Sequence, residues 1–154
     1  MAGMYFEDFE VGFERQYGTY TFTTELIKKF AGEFDPQPFH MDEAAAENSP
    51  FGGLIASGWH TSCAVMRLIV DELLGEESGS MGSPGIDQIR WLKPVRPDDT
   101  ISLQTKVLSV TPSKSKPDRG VIHTAYSVRN QNNEEVMTMI GIGMFLRRHA
   151  SSNT

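Results

Sequence analysis

The sequence predicts an α+β fold in which one curved antiparallel sheet wraps around a long central helix. Three observations carry that expectation. Residues 59–74 have helical apolar spacing, with Trp59, Cys63, Met66, Val70 and Leu73 along one stripe and Ala64, Val65, Leu68 and Ile69 filling much of the remaining surface. Only a narrow line including Arg67 and Asp71 is charged, so this helix must be covered on most sides. Stretches of β-type composition follow at 86–92, 100–110, 120–130 and 135–147, and a further one precedes the helix.

Each element has a local reason. Residues 15–23 carry Tyr17, Tyr20 and Phe22 among threonines and read as a strand. Thr23 or Thr24 caps a helix from Glu25, with Ile27, Phe30, Ala31 and Phe34 at helical spacing and Lys28 and Lys29 toward its C-terminal half. Pro36 and Pro38 then make 34–42 a stiff loop, because each fixes its own φ and drives the preceding residue to an extended conformation. Asp42 caps a short helix ending at Glu47, and 48–53 is a turn-rich connection. In the later strands Ile101, Leu103 and Val107 alternate with polar residues, as do Ile122, Tyr126 and Val128. Between them lie a Gly/Ser loop (75–85), a tight turn (97–99), a longer basic, mobile loop (111–119) and a polar hairpin tip (130–133). The reading is a single domain over 1–148 with a polar tail at 149–154, without internal repeats. An open sheet leaves edges that invite pairing, so a homodimer with a continuous sheet is expected.

Composition narrows the function. At 154 residues, 39% apolar and 22% charged, the chain has the make-up of an ordinary globular domain. A net charge of −6 argues against a nucleic-acid partner, which needs a basic face. Arg90, Lys93 and Arg96 form a local basic cluster, either a solvated strand face or a contact for an anionic ligand. Cys63 is the only cysteine, which excludes an internal disulfide and a cysteine-based metal site; in its apolar run it reads as a small buried core residue. Residues 1–10 lack an apolar signal region and no run reaches transmembrane length, so a soluble, cytoplasmic protein without membrane association is expected.

The chemistry concentrates in Phe34-Asp35-Pro36-Gln37-Pro38-Phe39-His40-Met41-Asp42. Asp35 and His40 are a carboxylate and an imidazole held by a rigid backbone, as proton transfer requires. Taken alone, such a segment is more often a structural turn, of Asx type with a helix-capping histidine nearby, than a catalytic one. Ser57-Gly58 opens the long helix, where Ser57 serves as an N-cap and free N–H groups meet the positive end of the helix dipole. Ligation of a metal by His40, Asp42 and Asp35 is poorly supported, since Asp42 has a use as a cap and no further His or Cys joins them; no metal is expected. His60 and His123 read as packing residues. Phe39, Phe51 and Trp59 fill the core or line a tunnel.

In order along the chain, Phe30-Ala31, Asp35-x-x-Pro38-x-His40-x-Asp42, Pro50-Phe51-Gly52-Gly53-Leu54-Ile55-Ala56-Ser57-Gly58 and Arg90-Trp91-Leu92-Lys93-Pro94-Val95-Arg96-Pro97-Asp98-Asp99 resemble the MaoC-like hydratase/dehydratase family of hot-dog-fold proteins, which includes (R)-specific enoyl-CoA hydratases. The resemblance implies reversible addition of water to a 2-enoyl-CoA thioester, with Asp35 and His40 as the dyad. It implies that Gly58, with Ser57, stabilises the enolate oxygen, and that Trp59, Phe39 and Phe51 lie near the acyl group. It implies no cofactor beyond the coenzyme A of the substrate, whose phosphates would meet Arg90, Lys93, Arg96 or the Lys114/Lys116 loop. Four positions depart from the pattern. Phe34 replaces a small residue, Gln37 an asparagine, Ser57 a histidine, and Met66 a helix serine near the substrate. The same fold also supports acyl-CoA thioester hydrolysis and non-catalytic acyl-CoA binding.

Overall fold

A five-stranded antiparallel sheet and one long helix dominate residues 3–149, the part of the chain that the computed structural model describes. The elements are β1 (Glu14–Thr21), α1 (Thr24–Phe34), α2 (Pro38–Met41), α3 (Glu43–Glu47), α4 (Gly58–Ile69), β2 (Gly85–Trp91), β3 (Thr100–Pro112), β4 (Arg119–Arg129) and β5 (Glu135–Leu146). A π-helical stretch, Val70–Leu74, prolongs α4 and ends at Gly75, whose φ of 60° suits a residue without Cβ. The strand order is β1-β3-β4-β5-β2. This is the α+β hot-dog arrangement that the sequence predicts. Of the expected tail, 149–154, all but His149 lies outside the described residues.

The core forms where α4 crosses the sheet. Val65, Leu68, Ile69 and Leu73 pack with Ile101 and Leu103 of β3, Val128 of β4 and Val136 and Met137 of β5 in one cluster. Each such side chain contributes about 1.5–3 kcal/mol by leaving water. A smaller cluster joins Phe6 and Phe9, to which the sequence assigned no element, with Val107, Ile122 and Phe145.

The long helix departs from expectation in which face it hides. Trp59 is 57% and Met66 48% exposed, Val70 is also exposed, and so is Cys63, which is therefore not a core residue. Of the predicted stripe only Leu73 is buried; the inward face is His60, Thr61, Ala64, Val65, Leu68 and Ile69. The helix is apolar nearly all round, but a single sheet covers one side of it. Phe34, on the predicted apolar face of α1, is 70% exposed because the helix ends there, beyond its buried anchors Ile27 and Ala31. The basic loop at 111–119 is also shorter than its composition suggests, since β3 and β4 stay paired as far as Pro112 and Gly120.

Edge strand β2 is bulged. Asp87 pairs with Ile140 but Arg90 with Thr138, and Gln88 within the extra step has φ 55°. The bulge resets which side chains face the helix just before Trp91.

Candidate active site at the head of the long helix

Local rules place the acid and the base. Thr23 caps α1 by accepting the Leu26 N–H at 3.1 Å, and Asp35 closes that helix by donating its N–H to Ala31 O at 2.8 Å. Gln37 is extended (φ −76°, ψ 145°), as a residue before proline should be. Pro38 then opens a helical turn, α2, where the sequence predicts a loop. At the first helical position proline's missing N–H costs nothing. Asp42 caps α3 as expected, accepting the Ala45 N–H at 2.8 Å.

His40, 4% exposed, is fixed from two sides. Its Nδ1 lies 2.7 Å from Ile55 O, and its Nε2 lies 3.2 Å from Asp35 Oδ2. A carbonyl oxygen only accepts, so Nδ1 carries the proton and donates it to Ile55. Nε2 is left on the side of the carboxylate oxygen, within ion-pair distance of it, so the imidazole and the carboxylate form one acid–base pair.

Asp35 is held as firmly. Gln37 Nε2–H donates to Oδ1 and Ser57 Oγ–H donates to Oδ2, each at 2.7 Å. Partial burial alone would raise its pKa, but the hydrogen bonds from Gln37 and Ser57, with His40 beside it, outweigh that and hold the carboxyl below its ordinary value. Ser57 is also the N-cap of α4, accepting the Trp59 N–H at 3.3 Å. Gly58 begins the helix, and its N–H meets no acceptor among the described residues.

A cavity of about 370 Å³ opens against this group, lined by Phe39, His40, Phe51, Gly58, Thr61 and Trp91 among others. The sequence-predicted Asp35, His40 and Ser57 therefore meet directly, while Phe39, Phe51 and Gly58 form the adjoining wall. Trp59 does not line the cavity; it packs edge-on against Trp91 outside, with ring centroids 5.2 Å apart. Thr61 and Trp91 are among the wall residues that the sequence reading gave no role. Trp91 donates Nε1–H to Ser62 Oγ at 3.3 Å, and a Cβ on Gly58 would lie 2.6 Å from its ring. The only signal for it was its place beside Pro94-Val95.

The basic cluster is largely engaged. Lys93 pairs with Glu134, Arg96 donates to Phe51 O and so braces the cavity wall, and Arg90 donates to Ile89 O at 2.9 Å. Among the described residues no three His, Cys, Asp or Glu side chains converge as metal ligands. His60 stacks on Phe30 (4.8 Å, 7°) and contacts Tyr20 Oη at 3.1 Å through Nε2, while His123 sits mid-strand in β4; neither contacts Asp35 or His40.

The MaoC like domain profile matches residues 9–129. The chain belongs to this family. A crystal structure of a MaoC-like dehydratase from Rhodospirillum rubrum superposes with a TM-score of 0.87 at 41% identity, covering 96% of this chain and all of that one. The protein YdeM of Bacillus subtilis is 34% identical over 110 residues, 71% of this chain and 76% of its own length. A 3-hydroxybutyryl-CoA dehydratase of Methylorubrum extorquens is 27% identical over 124 residues, 73% of this chain and 69% of its own length. Membership in the MaoC-like family makes this a hydratase/dehydratase-type chain, and the Asp35–His40 segment and α4 both fall within the matched residues.

Proposed function

We propose that the protein adds water to 2-enoyl-CoA thioesters, or removes it from (R)-3-hydroxyacyl-CoA in the reverse direction. The observation that carries this reading is the contact of the Asp35 carboxylate with the His40 imidazole, Oδ2 to Nε2 3.2 Å, with His40 on the wall of a cavity. A water in that cavity, hydrogen-bonded to the pair, presents an oxygen lone pair to the substrate. That oxygen bonds to C3 of the enoyl group as the C2=C3 π bond breaks. The pair takes one proton from the water and returns one to C2, and so ends as it began. The two groups titrate together, and the chemistry is assigned to them jointly.

The attack drives charge onto the thioester oxygen. Gly58 N–H, at the positive end of α4, is the donor we assign to it. An acyl chain lying along α4 reaches Met66 after eight residues, about 12 Å at 1.5 Å per residue. There a second, mostly apolar cavity of about 180 Å³ is lined by Met66, Ile69, Ile122 and Met139 among others. Both half-reactions are proton transfers, so the coenzyme A of the substrate is the only cofactor chemistry the proposal needs.

We further propose that the working form is a homodimer joined through β2. That strand is a free edge, and exposed Ile86, Trp91 and Leu92 continue the apolar surface of Trp59, Met66 and Val70 on α4. Pairing β2 with its copy would extend the sheet and cover this face.

The test is loss of the conjugated enoyl absorbance for a panel of 2-enoyl-CoA esters. Asp35→Asn and His40→Ala should each lower kcat by roughly 10²–10⁴ while keeping the wild-type circular dichroism. Folded variants with near wild-type rates would overturn the dyad. Release of free CoA thiol by wild type would point to thioester hydrolysis instead.

A further inference from the structure

Both oxygens of Asp35 are engaged before any water or substrate arrives, by two side chains that do not line the cavity. Gln37 reaches Oδ1 from the extended step before Pro38. Ser57, 1% exposed, reaches Oδ2 from the first turn of α4. A serine hydroxyl has one hydrogen. Here it goes to Asp35, while a lone pair takes the Trp59 N–H, so nothing is left to donate into the cavity. One hydroxyl thereby ties the carboxylate to the helix that presents Gly58.

We infer that Ser57 and Gln37 are positioning residues that lock Asp35 in one rotamer, with Oδ2 held against His40. The lock joins the acid–base pair to the helix terminus that faces the thioester, so the two halves of the site keep a fixed separation. It rests on the hydration reading for its kinetic consequence but not for its electrostatic one. Among the described residues His40 is the titratable side chain set against Asp35; Gln37 and Ser57 are uncharged. Each hydrogen bond to the carboxylate favours its ionised form, so removing either should move Asp35 toward a higher pKa.

The variants separate this role from helix capping. Glycine is a nearly adequate N-cap without a hydroxyl, whereas threonine keeps both the cap and the donor. Ser57→Gly and Gln37→Ala should lower kcat roughly ten- to hundredfold with little change in KM, and Ser57→Thr should restore most of it. The acid limb of the kcat profile should move to higher pH in the first two variants and return in the third. Independently of any substrate, the Asp35 carboxyl carbon observed by NMR should titrate at higher pH in Ser57→Gly and Gln37→Ala than in wild type. An unchanged Asp35 titration in both variants overturns the lock, whatever the activity. Wild type inactive on every enoyl-CoA, with the shifts present, would remove the hydration reading and leave the lock standing.

Discussion

Gly58 is required by a neighbour on another element. A Cβ there would come within 2.6 Å of the Trp91 ring, well inside van der Waals contact. Gly58→Ala should cost about 1–3 kcal/mol in denaturant melts by overpacking, and most of that cost should vanish in a Trp91→Ala background. Non-additivity of the pair is the measurement; additive losses would mean that the contact is not what constrains the glycine. Asp35 and His40 were legible in the sequence because prolines and a cap fix their backbone within eight residues. Trp91 was not, because its contact with Gly58 spans 33 positions and depends on a bulge that no local pattern announces. The departure at Phe34 has a simple account: the side chain is largely in solvent, where size is free to vary.

At the level of elements, α4 shows what periodicity can and cannot decide. Its position and length followed from composition, but neither the expected cover on most sides nor the inward face did. Apolar residues occupy both sides, and only the placement of the strands chooses between them. One inward residue has a measurable consequence. Burial among Phe22, Phe30 and Tyr20 pushes the His60 imidazole down to about 4, so the folded state holds it neutral. The unfolded chain, with an ordinary value near 6.5, binds more protons between those limits, and stability therefore falls as pH drops from 6.5 toward 4. Between pH 7 and pH 5 this group should remove about 1–2 kcal/mol of unfolding free energy. His60→Phe should lose that part of the pH dependence in urea titrations, and an identical slope in both proteins would exclude His60 as its source.

For the whole molecule, strand order was the part least available to sequence. Turn chemistry gave the hairpin β4–β5, but the pairing of β3 with β4 hid behind an expected mobile loop, and the placement of β1 beside β3 and of β2 beside β5 closes over long loops. That placement leaves β2 at an edge next to the exposed side of α4, and the dimer proposal belongs to this scale. Met66→Glu or Ile86→Glu should convert the species seen by light scattering to a 17.2 kDa monomer with native circular dichroism. Wild type of that same mass would end the proposal. The two tryptophans of the chain, Trp59 and Trp91, lie 5.2 Å apart at the head of α4, the second of them on the cavity wall. Both of the protein's indole fluorophores thus sit beside the candidate site, so filling it should alter the ultraviolet emission of the whole molecule.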